Sequence, residues 1–216
     1  MGIGRREFFK FVAAAFGGMA VDPLQAVAIH GDYFVNTRLG LGFVKPRNWA
    51  LEAFRDFASE LKGQIIQGLP HDVDEEEFRR DQASTLVATV IKYSGAAHRF
   101  SPSITVFKNW EDYPEIRPEG LEKLAQYMIE GYSALLKDYE VLEVPRQFEV
   151  SRCKAIRFKS RWVFEHNDIE PVLIEDEALA IDQGSHLFSI HMYDSPATGE
   201  ATPEEFACFL KSLHIA

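Results

Sequence analysis

The sequence predicts an α+β domain in which helices pack on a largely antiparallel β-sheet. Three observations lead to this fold class. Short runs rich in β-branched and aromatic residues recur along the chain, short turns join most of them, and three stretches carry apolar residues at helical spacing. Strands joined by short turns pair antiparallel, because parallel neighbours need a long crossover connection. No linker rich in Pro, Gly or Ser divides residues 29–216, so we expect a single domain there.

Two hairpins and a helix are predicted in the first half of the chain. Residues 32–36 and 39–46 are short extended pieces separated by a turn, which is typical of a hairpin. Residues 49–62 carry aromatic and aliphatic side chains at helical spacing and are predicted to form an amphipathic helix. Residues 84–93 and 100–109 are rich in β-branched side chains and form the second predicted hairpin.

A long helix, four strands and a closing helix are predicted in the second half. Residues 118–136 carry one apolar face, made by Leu121, Leu124, Met128, Tyr132 and Leu135. Extended segments follow at about 140–150, 153–165, 171–181 and 186–193. Thr202 and Glu205 have the spacing of a capping box, with Pro203 at the first helical position. The closing helix then carries its core face on Phe206, Phe209, Leu210 and Leu213.

The amino terminus resembles a twin-arginine export signal. The residues that match this motif are Arg5, Arg6, Phe8, Phe9 and Lys10. The apolar stretch at 11–21 is too short to cross the ~30 Å of a bilayer core as a helix, which is typical of a signal peptide and not of an anchor. Small residues at 26–28 suit a signal peptidase, so we expect cleavage after Ala28. The alternative is an ordinary amphipathic helix that begins with two arginines.

This interpretation of the amino terminus predicts where the protein is located. Residues 1–28 are the signal peptide, the twin-arginine export machinery is the first partner, and the mature protein works in a bacterial periplasm. An oxidising destination permits disulfides, so Cys153 and Cys208 could pair across the loop between them. The alternative is two small buried thiols.

The charge balance argues against nucleic acid and anionic lipid as partners. The formal net charge is −10, which repels phosphate groups. The basic residues that cluster in sequence are Arg152, Lys154, Arg157, Lys159 and Arg161. Because they fall on a predicted strand, we expect a solvated or edge strand there and no nucleic-acid interface.

The first residues after the signal resemble the PsbP family, the extrinsic photosystem II protein and its bacterial relatives. The resemblance rests on Tyr33, Asn36, Leu39-Gly40, Phe43, Pro46 and Trp49, and on the order of the elements. It implies a PsbP-like α/β/α sandwich, a fold shared with the nuclear import factor that binds the Ran GTPase. Members of this fold mostly act as accessory or binding proteins, and the resemblance assigns no catalytic residues.

Chemistry could reside in one polar segment. Glu165, His166 and Asp168 lie close together in sequence, with His186 and His191 on a later strand. Carboxylates and imidazoles could hold Mn²⁺ or Zn²⁺ if these segments converge. His186 and His191 are predicted to point to opposite faces, so at most one of them could join such a site. The alternative is a polar turn between two strands.

Two other groups of residues are candidates. Glu175 and Glu177 share one face of a strand, as a pair of acid and base carboxylates would require, but a solvated surface strand is the favoured explanation because no nucleophile lies nearby in sequence. Trp110, Tyr113 and Pro114 lie in a strand-to-helix connection, where binding residues often collect, and are candidates for contact with a partner protein. The alternative is that these aromatics cover the edge of the core.

The sequence contains no nucleotide-binding glycine loop, no Gly-x-Ser-x-Gly, no His-Glu-x-x-His and no Cys-x-x-Cys. No motif in the sequence therefore requires a cofactor, and the sequence does not identify one. The first hypothesis is an exported, non-catalytic accessory protein that acts through contacts with a periplasmic or membrane protein. The alternatives are a metal-dependent enzyme near Glu165 and a small-ligand carrier with an apolar cavity.

Overall fold

The computed structural model describes residues 27–52, 64–65, 74–76, 85–93, 100–108, 117–167, 169–184, 186–197 and 200–216. The strands of these residues form two sheets, in which every named pair is antiparallel. The strands of the first sheet are β1 (Val27–His30), β2 (Tyr33–Asn36), β3 (Leu41–Val44) and β11 (His214–Ile215). They lie in the order β1-β2-β3-β11, so the last strand of the chain pairs with the third.

The second sheet has seven strands and contains most of the chain's long elements. Its members are β4 (Ala50–Leu51), β5 (Leu86–Ile91), β6 (Ser103–Lys108), β7 (Lys137–Val150), β8 (Cys153–His166), β9 (Ile169–Asp182) and β10 (Leu187–Asp194). Their order is β4-β5-β6-β10-β9-β8-β7, so β10 lies between β6 and β9 and is paired on both sides. The predicted hairpins and the four predicted strands of the second half are confirmed.

Two helices of the described chain cover this sheet. Helix α1 (Leu121–Leu135) packs its buried residues on the face that carries Phe158 and Ala178. Successive strand residues point to opposite sides, so the seven-stranded sheet has a second buried face. Helix α2 (Pro203–Ser212) and the four-stranded sheet pack on that face and form a second core with it. This layering is the predicted α+β architecture, and the capping box of Thr202 and Glu205 is present with Pro203 inside the first turn. No helix among the described residues combines the length and the apolar character that crossing a bilayer requires.

The start of the predicted helix at 49–62 is wrong. Ala50 and Leu51 form strand β4, paired with Ile91 and Val90, and the amide of Glu52 donates to the carbonyl of Thr89. Pairing with β5 satisfies the backbone at these positions and overrides the helical spacing of the side chains. Residues 53–62 of the predicted helix lie outside the described residues.

Glu205 links helix α2 to the rest of the molecule. Its carboxylate accepts hydrogen bonds from Trp49 Nε1 at 2.9 Å, from Lys92 Nζ at 2.9 Å and from the amide of Thr202 at 2.9 Å. Burial alone would raise the pKa of Glu205, but the hydrogen bonds from Lys92, Trp49 and Thr202 outweigh it and hold the pKa below its usual value.

This lowered pKa predicts an acid-sensitive contribution to stability. Because the pKa of Glu205 is lower in the folded than in the unfolded state, its stabilising effect is complete above the unfolded value of about 4.3 and is lost as the pH falls through the folded value. We expect Glu205→Gln to destabilise the protein more at pH 7 than at pH 3, measured by urea unfolding. Glu204→Gln, an exposed neighbour, is the control. A difference between wild type and Glu205→Gln that stays constant with pH would contradict the assignment.

Candidate functional site

A group of buried polar side chains lies on the face of the seven-stranded sheet that α1 covers. It consists of Asp176 on β9, Ser189 and His191 on β10, and Tyr132 on α1, and we call it the His191 cluster. The strand register places it there, because His191 pairs with Ala178 and Ser189 pairs with Ala180, two residues of the apolar core beneath α1. Polar side chains in such a position are costly unless they bind one another.

The members of the His191 cluster are joined through the imidazole ring. His191 Nδ1 lies 2.8 Å from Asp176 Oδ2, and His191 Nε2 lies 2.9 Å from Ser189 Oγ and 3.1 Å from Tyr132 OH. Asp176, Ser189 and His191 are 4%, 5% and 3% exposed. In the tautomer whose Nδ1–H donates to the carboxylate of Asp176, Nε2 accepts from both hydroxyl groups. The cluster therefore ties the end of α1 to two central strands.

Three phenol groups surround Asp176 and remain protonated at neutral pH. Burial, reinforced by the negative charge of Asp176, raises the pKa of Tyr132 and of Tyr193 well above the usual value. Burial also raises the pKa of Tyr139 to about 12, with the hydroxyl of Ser160 opposing and the charge of Asp176 assisting. All three side chains can therefore donate hydrogen bonds.

The order Asp176, His191, Ser189 has the connectivity of a nucleophile with its base and its orienting acid. Acyl transfer also needs free N–H groups that can bind an oxyanion beside the nucleophile. Ser189 lies in the middle of β10, where it pairs with Phe107 of β6 and with Ala180 of β9. The backbone N–H groups around it are therefore engaged in the sheet. The geometry suits a buried polar network and does not suit an acyl-transfer centre.

The structure does not bring the predicted metal residues together. Glu165 and His166 end β8, whereas His186 precedes β10 beyond the far end of β9. Strand β9 has 14 residues, so at about 3.3 Å per residue the two ends lie about 45 Å apart. Asp168 lies outside the described residues. Within the described ranges, no three His, Cys, Asp or Glu side chains are grouped so that they could hold a metal ion.

The side chains of that predicted metal group have other contacts. Glu165 Oε1 accepts from Lys137 Nζ at 2.6 Å, a bond that raises the pKa of Lys137. The ring of His166 stacks on Phe164, with centroids 6.0 Å apart. His186 lies 6.2 Å from the ring of Phe188. Glu165 and His166 thus belong to strand β8 and have partners among the described residues.

Glu175 and Glu177 face away from α1, opposite to Asp176. Glu177 Oε1 lies 3.5 Å from Arg157 NH1, and Lys159 and Arg161 pair with Glu143 and Glu140 on the same face. The basic residues of β8 that share this face are therefore balanced by carboxylates, which agrees with a solvated strand.

Cys153 and Cys208 are free thiols in the structure. The side chain of Cys153 packs against the core shared by the two sheets, whereas Cys208 is exposed on α2. The two side chains thus lie in different environments, and neither the bridge nor a pair of buried thiols is formed. Burial raises the pKa of the Cys153 thiol, assisted by the charge of Asp182. The predicted contact residues Trp110, Tyr113 and Pro114 and the export residues Arg5, Arg6, Phe8, Phe9 and Lys10 lie outside the described residues.

The His191 cluster was not predicted from the sequence, although a signal for it exists. Ser189 and His191 interrupt the apolar run of β10 at alternate positions, and Asp176 lies between the buried Ile174 and Ala178 on one face of β9. Polar residues at core positions are informative because they need partners. The glutamates that flank Asp176 are more conspicuous in the sequence, but they lie on the other face of the strand.

No protein-family model and no curated protein matches this sequence. Among solved structures, the chain is similar to cyanobacterial PsbP from Synechocystis sp. PCC 6803, with a TM-score of 0.50, 10% identity and coverage of 93% of this chain and 96% of that one. It is also similar to LpqN of Mycobacterium tuberculosis, a protein involved in cell envelope biogenesis, with a TM-score of 0.46, 8% identity and coverage of 88% and 89%. At these identities the comparison concerns architecture, and the chain has a PsbP-like α+β fold.

Proposed function

We propose that this protein is a non-catalytic accessory or binding protein that works outside the cytoplasm through contacts with a protein partner. The observation that carries the proposal is the geometry of the His191 cluster. Its serine, histidine and aspartate resemble reactive groups, but they lie beneath α1 and between paired strands, where they fix the helix to the sheet. This arrangement favours a rigid scaffold that presents loops to a partner.

Two further observations support the proposal. The paired arginines and the apolar stretch that follows them are typical of an export signal. The PsbP-like architecture is used by accessory proteins, which adds support by analogy of fold.

The export part of the proposal predicts a strong effect of the paired arginines. We expect Arg5→Lys combined with Arg6→Lys to abolish export, because the resemblance to the twin-arginine motif rests on both guanidinium groups. The measurement is fractionation of the producing cells, followed by detection of the protein in each fraction. Arg38→Lys, a substitution of the same kind at an exposed position, is the control and should leave export unchanged. Export of the doubly substituted chain at the wild-type level would contradict the assignment of the signal.

The partner part is tested by photo-crosslinking in intact cell envelopes. A photoreactive residue at position 113 should capture a specific protein, and the same residue in place of exposed Tyr127 on α1 is the matched control. We expect Trp110→Ala to reduce the capture at position 113 without changing the stability of the protein. Absence of any captured protein, together with a measured enzymatic turnover, would overturn the proposal.

A further inference from the structure

We infer that a group of buried side chains beside the His191 cluster binds a small molecule that carries hydroxyl groups. This molecule is a polyol or a sugar in the ligand-bound protein, and water takes its place in the free protein. We call this group of side chains the Asp176 site, and it consists of Asp176, Ser160, Trp162, Tyr139 and Tyr193. The inference depends on unfulfilled hydrogen bonds and on the register of the sheet. The inference depends neither on where the protein is located nor on which protein it binds.

The register brings these residues to one place. Asp176 pairs with Tyr193 of β10 on one side and with Ser160 of β8 on the other, so all three side chains point to the α1 face. Trp162 is two residues beyond Ser160 on the same strand and therefore shares that face. Its ring lies 6.4 Å from the ring of Tyr193 in an edge arrangement. Aromatic rings thus flank a single carboxylate.

Four polar side-chain atoms of this site lack a hydrogen-bond partner among the described residues, namely Asp176 Oδ1, Trp162 Nε1, Ser160 Oγ and Tyr139 OH. The first two have a fixed role, because a carboxylate oxygen only accepts and an indole N–H only donates. Asp176 Oδ1 makes no hydrogen bond, although Oδ2 of the same carboxylate is bound by His191. Trp162 Nε1 makes none either. Asp176 is 4% exposed and Trp162 is 7% exposed, so bulk water does not satisfy them. An unpaired buried polar group destabilises the folded state, and a charged one does so more strongly, so these atoms need partners.

Of these unpaired atoms, Asp176 Oδ1 and Trp162 Nε1 define the chemistry of the molecule that the site binds. Trp162 Nε1–H can only donate and the carboxylate of Asp176 can only accept, so a bridging group must accept from one and donate to the other. A cation cannot accept, and an anion cannot donate. A hydroxyl group does both with one oxygen atom, and the buried hydroxyls of Ser160 and Tyr139 add further partners for it. The aromatic rings supply apolar walls for the carbon atoms that carry such a hydroxyl.

Two tyrosines form the more exposed side of the site. Tyr139 on the edge strand β7 and Tyr193 on β10 are only half-buried, whereas Asp176 and Ser160 are buried. A ligand that approaches past the two tyrosines would reach the carboxylate last. Such an arrangement binds a hydroxyl group at the bottom and leaves the rest of the molecule against the aromatic rings.

The test is isothermal titration of the purified full chain with four probes, glycerol, D-glucose, tetramethylammonium and acetate. We expect saturable binding of glycerol or glucose and none of the cation or the anion. Trp162→Phe keeps the ring but removes the donor, and Asp176→Asn keeps the shape but removes the charge, so each should weaken binding at least about ten-fold. Glu177→Gln, on the opposite face of β9, is the matched control and should bind as wild type does.

Other results would overturn the inference. These are the absence of saturable binding for both hydroxylic probes, equal affinity of wild type and Trp162→Phe, or binding of tetramethylammonium or acetate in their place. If Asp176→Asn fails to fold, Trp162→Phe decides alone, because it introduces no buried charge or unpaired polar group. A crystal structure with glycerol should then place one hydroxyl oxygen within hydrogen-bond distance of both Asp176 Oδ1 and Trp162 Nε1. Water in that position in the presence of saturating glycerol would contradict the ligand assignment.

Discussion

Truncation of Phe188 to alanine is expected to lower the free energy of unfolding by about 3–5 kcal/mol. Phe188 is fully buried in β10, where it belongs to the core shared by the seven-stranded sheet, the four-stranded sheet and α2. Removal of its ring leaves a cavity that neighbours paired on both sides of the strand cannot collapse to fill. Urea unfolding followed by tryptophan fluorescence measures the change.

The matched control for Phe188→Ala is Val144→Ala. Val144 is 66% exposed on the edge strand β7, so its truncation should change the unfolding free energy by less than about 0.5 kcal/mol. Phe188→Leu should lie between the two, because it retains most of the buried apolar volume. Equal stability of Phe188→Ala and Val144→Ala would show that the core does not lie where the structure places it.

Replacement of Asp176 by alanine is expected to lower the free energy of unfolding by about 1–3 kcal/mol, for a different reason. The substitution removes the acceptor of His191 Nδ1–H and leaves a polar ring, 3% exposed, without its partner. The loss therefore measures the penalty for an unpaired buried group, which exceeds the net contribution of the pair itself.

A double-mutant cycle separates the pair from its surroundings. We expect the combination of Asp176→Ala with His191→Leu to be less destabilising than the sum of the two single changes, because the second removes the group that the first leaves unpaired. Thermal unfolding of the four proteins provides the measurement. Strict additivity would mean that Asp176 and His191 do not interact in the folded state.

Much of the fold could be predicted from local patterns in the sequence. The strands of the second half, the helix that begins at Leu121 and the capping box at Thr202 all follow from spacing within a single segment. The short strands β4 and β11 could not be predicted in this way. Their two residues carry no pattern, and they are strands only because β5 and β3 are present to pair with them.

The candidate site was harder to predict for the same reason. Glu175 and Glu177 are the conspicuous acidic residues of β9, yet they face away from α1, and the residue between them is the buried one. Asp176 binds His191 on the next strand. His191 in turn binds Tyr132, which lies 59 residues before it in the sequence. Sequence spacing identifies the face of a strand, but it does not identify which helix will cover that face.

The pairing of β11 with β3 has a consequence for the time course of folding. The hydroxyl of Ser212 on α2 accepts from the amide of Val44, 168 residues earlier, and the amide of Ala216 donates to the carbonyl of Gly40. The four-stranded sheet therefore cannot close until residues 214–216 have been synthesised. Contacts of such long sequence separation slow folding, since the closure entropy of the intervening chain must be overcome first.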